Sequence, residues 1–144
     1  MRLQLSRRAD YAVRATLALA EADRLLPAGE LARRMEIPSG FLPQILPDLV
    51  RSGILGRTLG RHGGYVLARP AGDISLLEVM EAADGAPPPR TCVLRGGACP
   101  AAEPCAVHPA VAEAQRAARL VFGGASFAAL LDRRRPEVVR AAGG

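Results

Sequence analysis

Residues 37–67 read IPSGFLPQILPDLVRSGILGRTLGRHGGYVL and decide the fold, because they place an amphipathic helix directly before a hairpin. The predicted helix covers residues 40–52, and its apolar residues have the spacing of a half-buried helix: Leu42, Ile45, Leu46, Leu49 and Val50. Ser39 is predicted to cap the start of this helix, and Gly53 to end it. The segments ILGRTL and YVLAR are predicted strands, and the glycines of GRHGG between them favour a hairpin.

Two helices are predicted before this stretch. Residues 6–22 read SRRADYAVRATLALAEA, for which Ser6 is a suitable cap. The apolar stripe expected on this first helix consists of Val13, Leu17 and Ala20. Pro27 opens a shorter second helix, whose inward-facing residues are expected to be Leu31, Ala32 and Met35. The order of helix, short helix, turn, third helix and hairpin is that of a winged helix-turn-helix unit.

A further helix is predicted after the hairpin. Ser75 and Glu78 have the spacing of a capping box, in which each side chain accepts a hydrogen bond from the other residue's backbone N–H. Ile74 and Val79 can pack together beside this cap as a hydrophobic staple. The helix should therefore begin at Ser75 and run to Gly85.

The last third of the chain predicts a long Ala-rich helix after Pro109. Its apolar positions are Val111, Ala114, Ala118 and Val121. The chain is expected to break at Gly123–Gly124 and to become helical again from Ser126. Because little local core is available to cover the apolar side, we expect this helix to pack against a second copy of the chain; folding back onto its own chain is the alternative. A homodimer would place two recognition helices, one for each half of the DNA site, at a fixed spacing.

The net positive charge lies in the first half of the chain. Residues 1–72 carry eleven Arg and six Asp or Glu, whereas residues 73–144 carry eight of each, so the first half holds the whole net charge of +5. Between Gly53 and Arg69 there are three Arg and no acidic residue. On a winged helix-turn-helix unit, a local basic excess is an electrostatic footprint for the phosphates of double-stranded DNA.

The expected fold class is mainly α with a small β-hairpin wing: a winged helix-turn-helix plus a long dimerisation helix. We divide the chain into a DNA-binding unit at 1–85, a Pro/Gly-rich cysteine loop at 86–108, a dimerisation helix with a short terminal helix at 109–135, and a flexible tail at 136–144. The 144 residues suffice for one core. This core must be aliphatic, since the chain has three Phe, two Tyr and no Trp.

Several classes of protein are disfavoured by the sequence. No apolar run approaches the roughly 20 residues that a helix needs to span a bilayer, which predicts a cytoplasmic protein without membrane partners. Three cysteines in a reducing compartment favour metal, cluster or redox chemistry over a disulfide framework. An enzyme is not expected, because no Ser/His/Asp arrangement, carboxylate pair or phosphate-binding glycine loop stands out.

All three cysteines and one of the two histidines lie in the segment CVLRGGACPAAEPCAVH. They are Cys92, Cys99, Cys105 and His108. Thiolates gathered on a Gly/Pro-rich loop suit a metal ion or an iron–sulfur cluster. The spacing C-x6-C-x5-C-x2-H differs from the closer cysteine pairs of structural zinc sites and from ferredoxin spacings. It therefore indicates metal binding without naming the metal.

The chain resembles the Rrf-type winged-helix regulators, the family that includes the IscR and NsrR proteins. The likeness covers nearly the whole chain and rests on the order of several segments: MRL at the start, DYAVRATLALA in the first helix, IPSGFLPQIL at the third, GGYVLAR in the wing, ISLLEVMEAADG after it, and then the three-cysteine loop. The resemblance implies a dimer with a swapped or crossed long helix near residues 109–122. It also implies an iron–sulfur sensor that controls transcription.

The third helix is the expected DNA reader. Gln44 is the candidate base reader, because its amide can pair with adenine in the major groove, and Arg51 is expected to contact phosphate. Ser39 and Gly40 precede them as further contact residues. The wing supplies candidates for backbone or minor-groove contacts: Arg57, Arg61 and His62.

Three positions depart from the family pattern. Pro43 stands where iron–sulfur relatives often have Glu, and Leu59 stands where the wing arginine is expected, so Arg61 or Arg57 would have to substitute. Pro47 removes a backbone hydrogen bond and costs about 3 kcal/mol inside a helix unless the helix kinks. We expect a bent or late-starting helix and an operator unlike those of better-known members.

Three thiolates leave one iron coordination position for a fourth ligand. His108 follows Cys105 where IscR-like members have a ligating His, and an imidazole would suit a 2Fe–2S centre. Asp10 has the first-helix position from which NsrR-like members supply a carboxylate to the other subunit, which would suit a 4Fe–4S centre attacked by nitric oxide. Of the two, we favour His108 with a 2Fe–2S centre.

The expected function is a dimeric DNA-binding transcriptional regulator, a repressor whose operator binding is controlled by an iron–sulfur cluster that senses nitric oxide, redox state or iron–sulfur status. The cluster would brace the loop and the dimer helix and so set the separation of the two recognition helices. A coupling free energy of about 1–3 kcal/mol would suffice for a useful switch. The alternative is a winged-helix regulator whose cysteine loop holds zinc or acts as a free-thiol redox switch.

Overall fold

The computed structural model describes residues 1–85, 92, 94, 97 and 105–134. These residues form a mainly helical structure with a two-stranded antiparallel sheet and a short 3₁₀ helix at Ala71–Asp73, which confirms the predicted fold class. The helices are α1 (Arg7–Ala22), α2 (Ala28–Met35), α3 (Leu42–Arg51), α4 (Leu76–Asp84), α5 (His108–Gly124) and α6 (Phe127–Arg134), and the strands are β1 (Leu55–Thr58) and β2 (Gly64–Leu67). The predicted tail at 136–144 lies outside the described residues.

Helix α1 is central and contacts α2, α3, α4 and α6. Its predicted cap is confirmed, because the Ser6 Oγ accepts a hydrogen bond from the Ala9 N–H at 3.0 Å. Its buried residues are Ala9, Ala12, Ala15, Thr16, Ala18 and Leu19. The predicted stripe of Val13, Leu17 and Ala20 is only half-buried. The single-stripe prediction was incomplete because α1 has neighbours on several sides, and its alanines let them approach closely.

The turn between α2 and α3 differs from the sequence expectation in one respect. Helix α3 begins at Leu42 with Phe41 at the cap position and without a side-chain cap, so the predicted Ser39 cap is wrong. Backbone groups bond there instead, since the Phe41 N–H donates to the Pro38 carbonyl at 3.0 Å and the Gln44 N–H to the Phe41 carbonyl at 3.1 Å. The helix therefore starts later than residue 40.

The end of α3 follows the glycine prediction. Gly53 has φ +73°, a backbone conformation that glycine adopts without steric penalty. The Gly53 N–H donates to the Val50 carbonyl and the Ile54 N–H to the Leu49 carbonyl, both at 3.0 Å. This pair of bonds is a Schellman motif, and buried Ile54 and Leu49 supply its apolar contact. The motif directs the chain straight into β1.

The wing is fixed to the helical unit by its own backbone. Strand β1 pairs with β2 in antiparallel register, with Leu55 opposite Leu67. Leu26, in the connection between α1 and α2, exchanges two backbone hydrogen bonds with Tyr65 at 2.9 and 2.8 Å. A Cβ at Gly64 would collide with the Leu26 carbonyl, so this close approach requires glycine.

Helix α4 has the predicted start. The Ser75 Oγ accepts from the Glu78 N–H at 3.2 Å, and the Glu78 carboxylate accepts from the Ser75 N–H at 2.9 Å. Ile74 and Val79 are both buried beside this capping box, as the staple requires. Gly85 follows the last residue of the helix, as predicted.

The two C-terminal helices behave differently. Helix α5 has no buried residue, and Leu120 and Val121 are 79% and 68% exposed. Helix α6 returns to the first unit, where Phe127 is completely buried and its N–H donates to the Ile74 carbonyl at 3.0 Å. The predicted break is confirmed within one residue, since α5 ends at Gly124. Among the described residues, none of the helices combines the length and the apolarity that crossing a bilayer requires.

Candidate nucleic-acid interface and cysteine loop

Helix α3 has one buried and one exposed face. Its apolar residues Leu42, Ile45, Leu46 and Leu49 are buried, as predicted. Gln44 is exposed, and its side-chain Nε2 donates to the Gly40 carbonyl at 3.2 Å. Ser39 is also exposed at this end of the helix. The structure therefore brings the three predicted contact residues of the N-terminal turn together on an accessible surface.

Arg51 lies at the other end of α3, with 76% of its side chain exposed. Its Nη1 is 3.1 Å from Asp48 Oδ1, and the other Asp48 oxygen lies 2.8 Å from Arg8 Nη2. An exposed ion pair contributes about 0–1 kcal/mol, so Arg51 can exchange Asp48 for a phosphate at little cost. Arg8 then still balances the carboxylate.

The wing carries three exposed cationic or titratable side chains: Arg57, Arg61 and His62. The guanidinium carbon of Arg57 lies 5.9 Å from the centre of the Tyr65 ring on the paired strand, within cation–π range. Leu59, at the turn, is 74% exposed. The hairpin thus presents an Arg-bearing edge to solvent, and strand β1 contacts α3 directly.

Asp10 lies in the first turn of α1 beside aromatic residues. The Tyr11 and Phe41 rings have centroids 4.9 Å apart in an edge-on arrangement, which joins α1 to the start of α3. Arg14 lies over the Tyr11 ring at 5.6 Å and forms an ion pair with the Asp10 carboxylate. Asp10 is thus half-buried and already engaged by a cation of its own helix.

The described part of the cysteine loop holds two of the three thiols. Cys92 is buried, and its N–H donates to the Gly97 carbonyl at 2.8 Å. Cys105 is half-buried, and its carbonyl accepts from the His108 N–H at 3.0 Å. His108 is the first residue of α5. Cys99 lies outside the described residues, and within the described ones no three metal-binding side chains form a group.

These donors suit iron chemistry. A sheltered thiol, a half-buried thiol and an imidazole one backbone turn away form a soft to borderline donor set, which iron–sulfur centres use. As residue types they match the donors of the group that the sequence resemblance implies.

Arg8 is the residue that sequence reasoning missed. It bridges to Asp48, forty positions away, and to the Ala83 carbonyl, seventy-five positions away. An Arg-Arg pair at the start of a helix is typical of a solvated surface. No local pattern could indicate these partners, because both contacts depend on how α1, α3 and α4 pack.

Comparison with known proteins gives consistent results. Residues 5–133 match the Rrf2 family, described as an iron-dependent transcriptional regulator. The chain is 39% identical over 85 residues to a Mycobacterium tuberculosis protein named as an HTH-type transcriptional regulator, which covers 58% of this chain and 53% of that relative. It therefore spans about half the length of that relative. It is also 31% identical over 108 residues to the HTH-type transcriptional regulator IscR of Cronobacter sakazakii, which covers 74% of this chain and 66% of the relative.

A solved structure shares the fold. The global cysteine regulator CymR of B. subtilis superimposes with a TM-score of 0.74 at 18% identity, covering 92% of this chain and 98% of CymR. At this identity the likeness shows the fold alone. The two relatives compared by sequence are named as regulators of transcription and not as enzymes.

Proposed function

The chain belongs to the Rrf2 family of transcriptional regulators, and on that premise we propose that it is a homodimeric repressor whose binding to duplex DNA is controlled by an iron–sulfur cluster on the cysteine loop. A repressor of chromosomal genes would act in the cytoplasm. The observation that carries the proposal is α3, which buries its apolar face and leaves Gln44 and Arg51 exposed beside an Arg-bearing hairpin.

In this proposal α3 enters the major groove with its N-terminal turn first. The Gln44 amide exchanges its hydrogen bond to the Gly40 carbonyl for a base edge, while Ser39 and Gly40 approach the backbone. Arg51 releases Asp48 and contacts phosphate. Arg57, Arg61 and His62 of the wing contribute contacts to the adjacent backbone or minor groove.

The dimer is proposed from the uncovered side of α5. Leu120 and Val121 are large apolar side chains in solvent on a helix of seventeen residues. Two such helices packed together would bury these residues and place two copies of α3 on one duplex. Arg119 meanwhile forms an ion pair with Glu81, which ties α5 to α4 of its own chain.

The loop ligands are proposed to be Cys92, Cys99, Cys105 and His108, with Asp10 of the other subunit as the alternative fourth ligand. When bound, the cluster would supply a redox-active group that nitric oxide and oxygen attack. The chain's own contribution is mechanical. Because the Cys105 carbonyl accepts from the first N–H of α5, a displaced Cys105 also displaces the start of the dimer helix. The separation of the two copies of α3 would then change.

The test is anaerobic purification followed by iron and sulfide analysis and absorption spectroscopy, before and after exposure to nitric oxide or air. Affinity for a duplex selected from a random library is measured on the same samples. We expect visible absorbance, about two iron atoms per chain if the centre is 2Fe–2S, and a change in affinity when the colour is lost. Cys105→Ala should lack the visible absorbance, and its affinity for the selected duplex should differ from that of the unaltered chain.

Val107→Ala is the matched control, because Val107 is exposed in the same turn but offers no metal ligand. It should keep colour and affinity. A colourless protein with stoichiometric zinc, or one whose affinity responds only to thiol oxidation, would favour the zinc or free-thiol alternative. Unchanged affinity in Cys105→Ala would contradict control by the loop.

A further inference from the structure

The guanidinium of Arg8 joins three helices. Its Nε donates to the Ala83 carbonyl at 2.9 Å, in the last turn of α4. Its Nη2 donates to Asp48 Oδ2 at 2.8 Å and to the Gln44 carbonyl at 3.3 Å, both on α3. A planar guanidinium with several fixed donors holds its partners in one relative geometry. The backbone of the proposed base-reading turn is thus tied to the end of α4 by one side chain.

A second contact anchors the same end of α4. The Ser6 Oγ lies 2.6 and 2.8 Å from the two carboxylate oxygens of Asp84, the last residue of that helix. Gly85 follows, and the chain continues from there towards Cys92. The point at which the chain leaves the helical unit for the cysteine loop is therefore held beside Arg8.

Arg8 also balances the negative charge of Asp48. The Asp48 carboxylate belongs to α3, which carries the proposed DNA contacts, and without a counter-charge it would repel phosphate. Arg8 supplies that charge from α1, with 37% of its side chain exposed. Arg51, the other partner of Asp48, is more exposed and is left available for DNA.

We propose that Arg8 is a positioning residue for DNA recognition: it holds the turn of α3 at residues 44–48 in its reading position and transmits displacements of the α4 C-terminus to that turn. The inference rests on the proposed function, which it deepens by naming the link between the cysteine loop and the reading helix. Arg8 itself touches neither base nor cluster.

The first test compares Arg8→Lys and Arg8→Ala with the control Arg7→Ala. Arg7 is the exposed neighbour on the same turn, so its replacement removes the same charge. Affinity is measured for the duplex that the unaltered chain selects and for a scrambled duplex. Lys keeps the charge but cannot reach both α3 and α4. Both Arg8 variants should therefore lower the ratio of affinities for the selected and the scrambled duplex about tenfold.

Arg7→Ala should weaken binding to both duplexes by the same factor and keep the preference. Thermal unfolding of each variant checks the fold, and Arg8→Lys decides the question if Arg8→Ala is destabilised. An Arg8→Lys chain with unchanged preference overturns the positioning role. So does an Arg7→Ala chain that loses as much preference as Arg8→Lys.

The second test combines Arg8→Lys with Cys105→Ala. If Arg8 transmits the state of the loop, Cys105→Ala should change affinity for the selected duplex in the unaltered background and change it by a smaller factor in the Arg8→Lys background, where only the route through α5 remains. An equal change in both backgrounds overturns transmission through Arg8 while the proposed function stands. A chain that selects no duplex, or whose affinity ignores Cys105→Ala, contradicts the proposed function and this inference with it.

Discussion

Asp10 and Arg14 lie one turn apart on α1, and the Arg14 guanidinium donates to both carboxylate oxygens of Asp10, from Nε at 3.0 Å and from Nη2 at 2.8 Å. Arg14 Nη1 also donates to the Met35 carbonyl at 3.3 Å, at the end of α2. A carboxylate held in this forked way has two of its roughly four acceptor positions taken up by charge-assisted hydrogen bonds, which makes it a weaker ligand for a metal of the other subunit. His108, half-buried at the start of α5, has no comparable side-chain hydrogen bond among its described contacts.

The first prediction concerns this choice of fourth ligand. His108→Ala should shift the visible absorption of the anaerobically isolated protein and weaken iron retention about tenfold or more. Asp10→Ala removes the rival ligand and should leave both unchanged. Iron per chain and the absorption spectrum of the two variants, prepared side by side, decide between them. The opposite pattern would assign the position to Asp10.

The second prediction separates base reading from phosphate contact. Gln44→Ala removes an exposed amide and should lower discrimination for the selected duplex by about 1–3 kcal/mol, while affinity for scrambled DNA stays the same. Arg51→Ala should instead weaken binding to all duplexes alike and reduce the slope of log affinity against log salt by about one. Fluorescence titrations at several salt concentrations measure both. If Gln44→Ala lost affinity for both duplexes equally, Gln44 would be a backbone contact.

The sequence predicted what local chemistry determines. The capping box of Ser75 and Glu78, the Ser6 cap and the glycine end of α3 each depend on residues within a few positions of one another. The apolar spacing of α3 is local in the same sense, because it shows which face of this single helix packs against the core. These features were correct because the interactions that form them do not require knowledge of the tertiary packing.

The parts that sequence could not predict depend on distant partners. Phe127 on α6 enters the core of the N-terminal unit, a contact that no pattern near residue 127 reveals. Ser39 has the side chain of a good cap, yet the Phe41 N–H that it could have bonded donates to the Pro38 carbonyl instead. The bridges of Arg8 to α3 and α4 belong to the same class. Each depends on how separate helices pack together.

The third prediction tests the dimer through α5. Leu120→Arg places a charge in the proposed interface and should raise the dimer dissociation constant roughly thirtyfold or more, about 2 kcal/mol. Gln115→Arg adds the same charge to an exposed position about 140° around the same helix, given 3.6 residues per turn, and should leave the dimer intact. Sedimentation velocity over a concentration series distinguishes the two. A monomer in the unaltered chain would refute the dimer, and equal loss in both variants would mean a general charge effect.

The fourth prediction concerns pH and the start of α4. The backbone N–H of Ser75 donates to the Glu78 carboxylate, and with the ion pair to Arg69 at 2.8 Å it holds the pKa of Glu78 below its ordinary value, against the opposing effect of partial burial. A carboxyl whose pKa is lower in the folded state adds stability above its unfolded pKa, near 4.3. That stability disappears as the pH falls through the folded pKa.

Glu78→Gln keeps an amide oxygen that can complete the capping box but removes the charge. Since 44% of the Glu78 side chain is exposed, solvent screening limits the loss at pH 7 to about 0.5–1 kcal/mol of unfolding free energy. The difference from the unaltered chain should shrink from pH 7 to pH 3, as the Glu78 carboxyl becomes protonated in the folded state. Ser75→Ala is the contrasting variant: it removes the cap itself and should cost about 1 kcal/mol at both pH values. Urea unfolding of the unaltered chain and of both variants at pH 7 and pH 3 measures these differences in the free energy of unfolding. If Glu78→Gln were as destabilised at pH 3 as at pH 7, packing, and not charge, would make Glu78 stabilising.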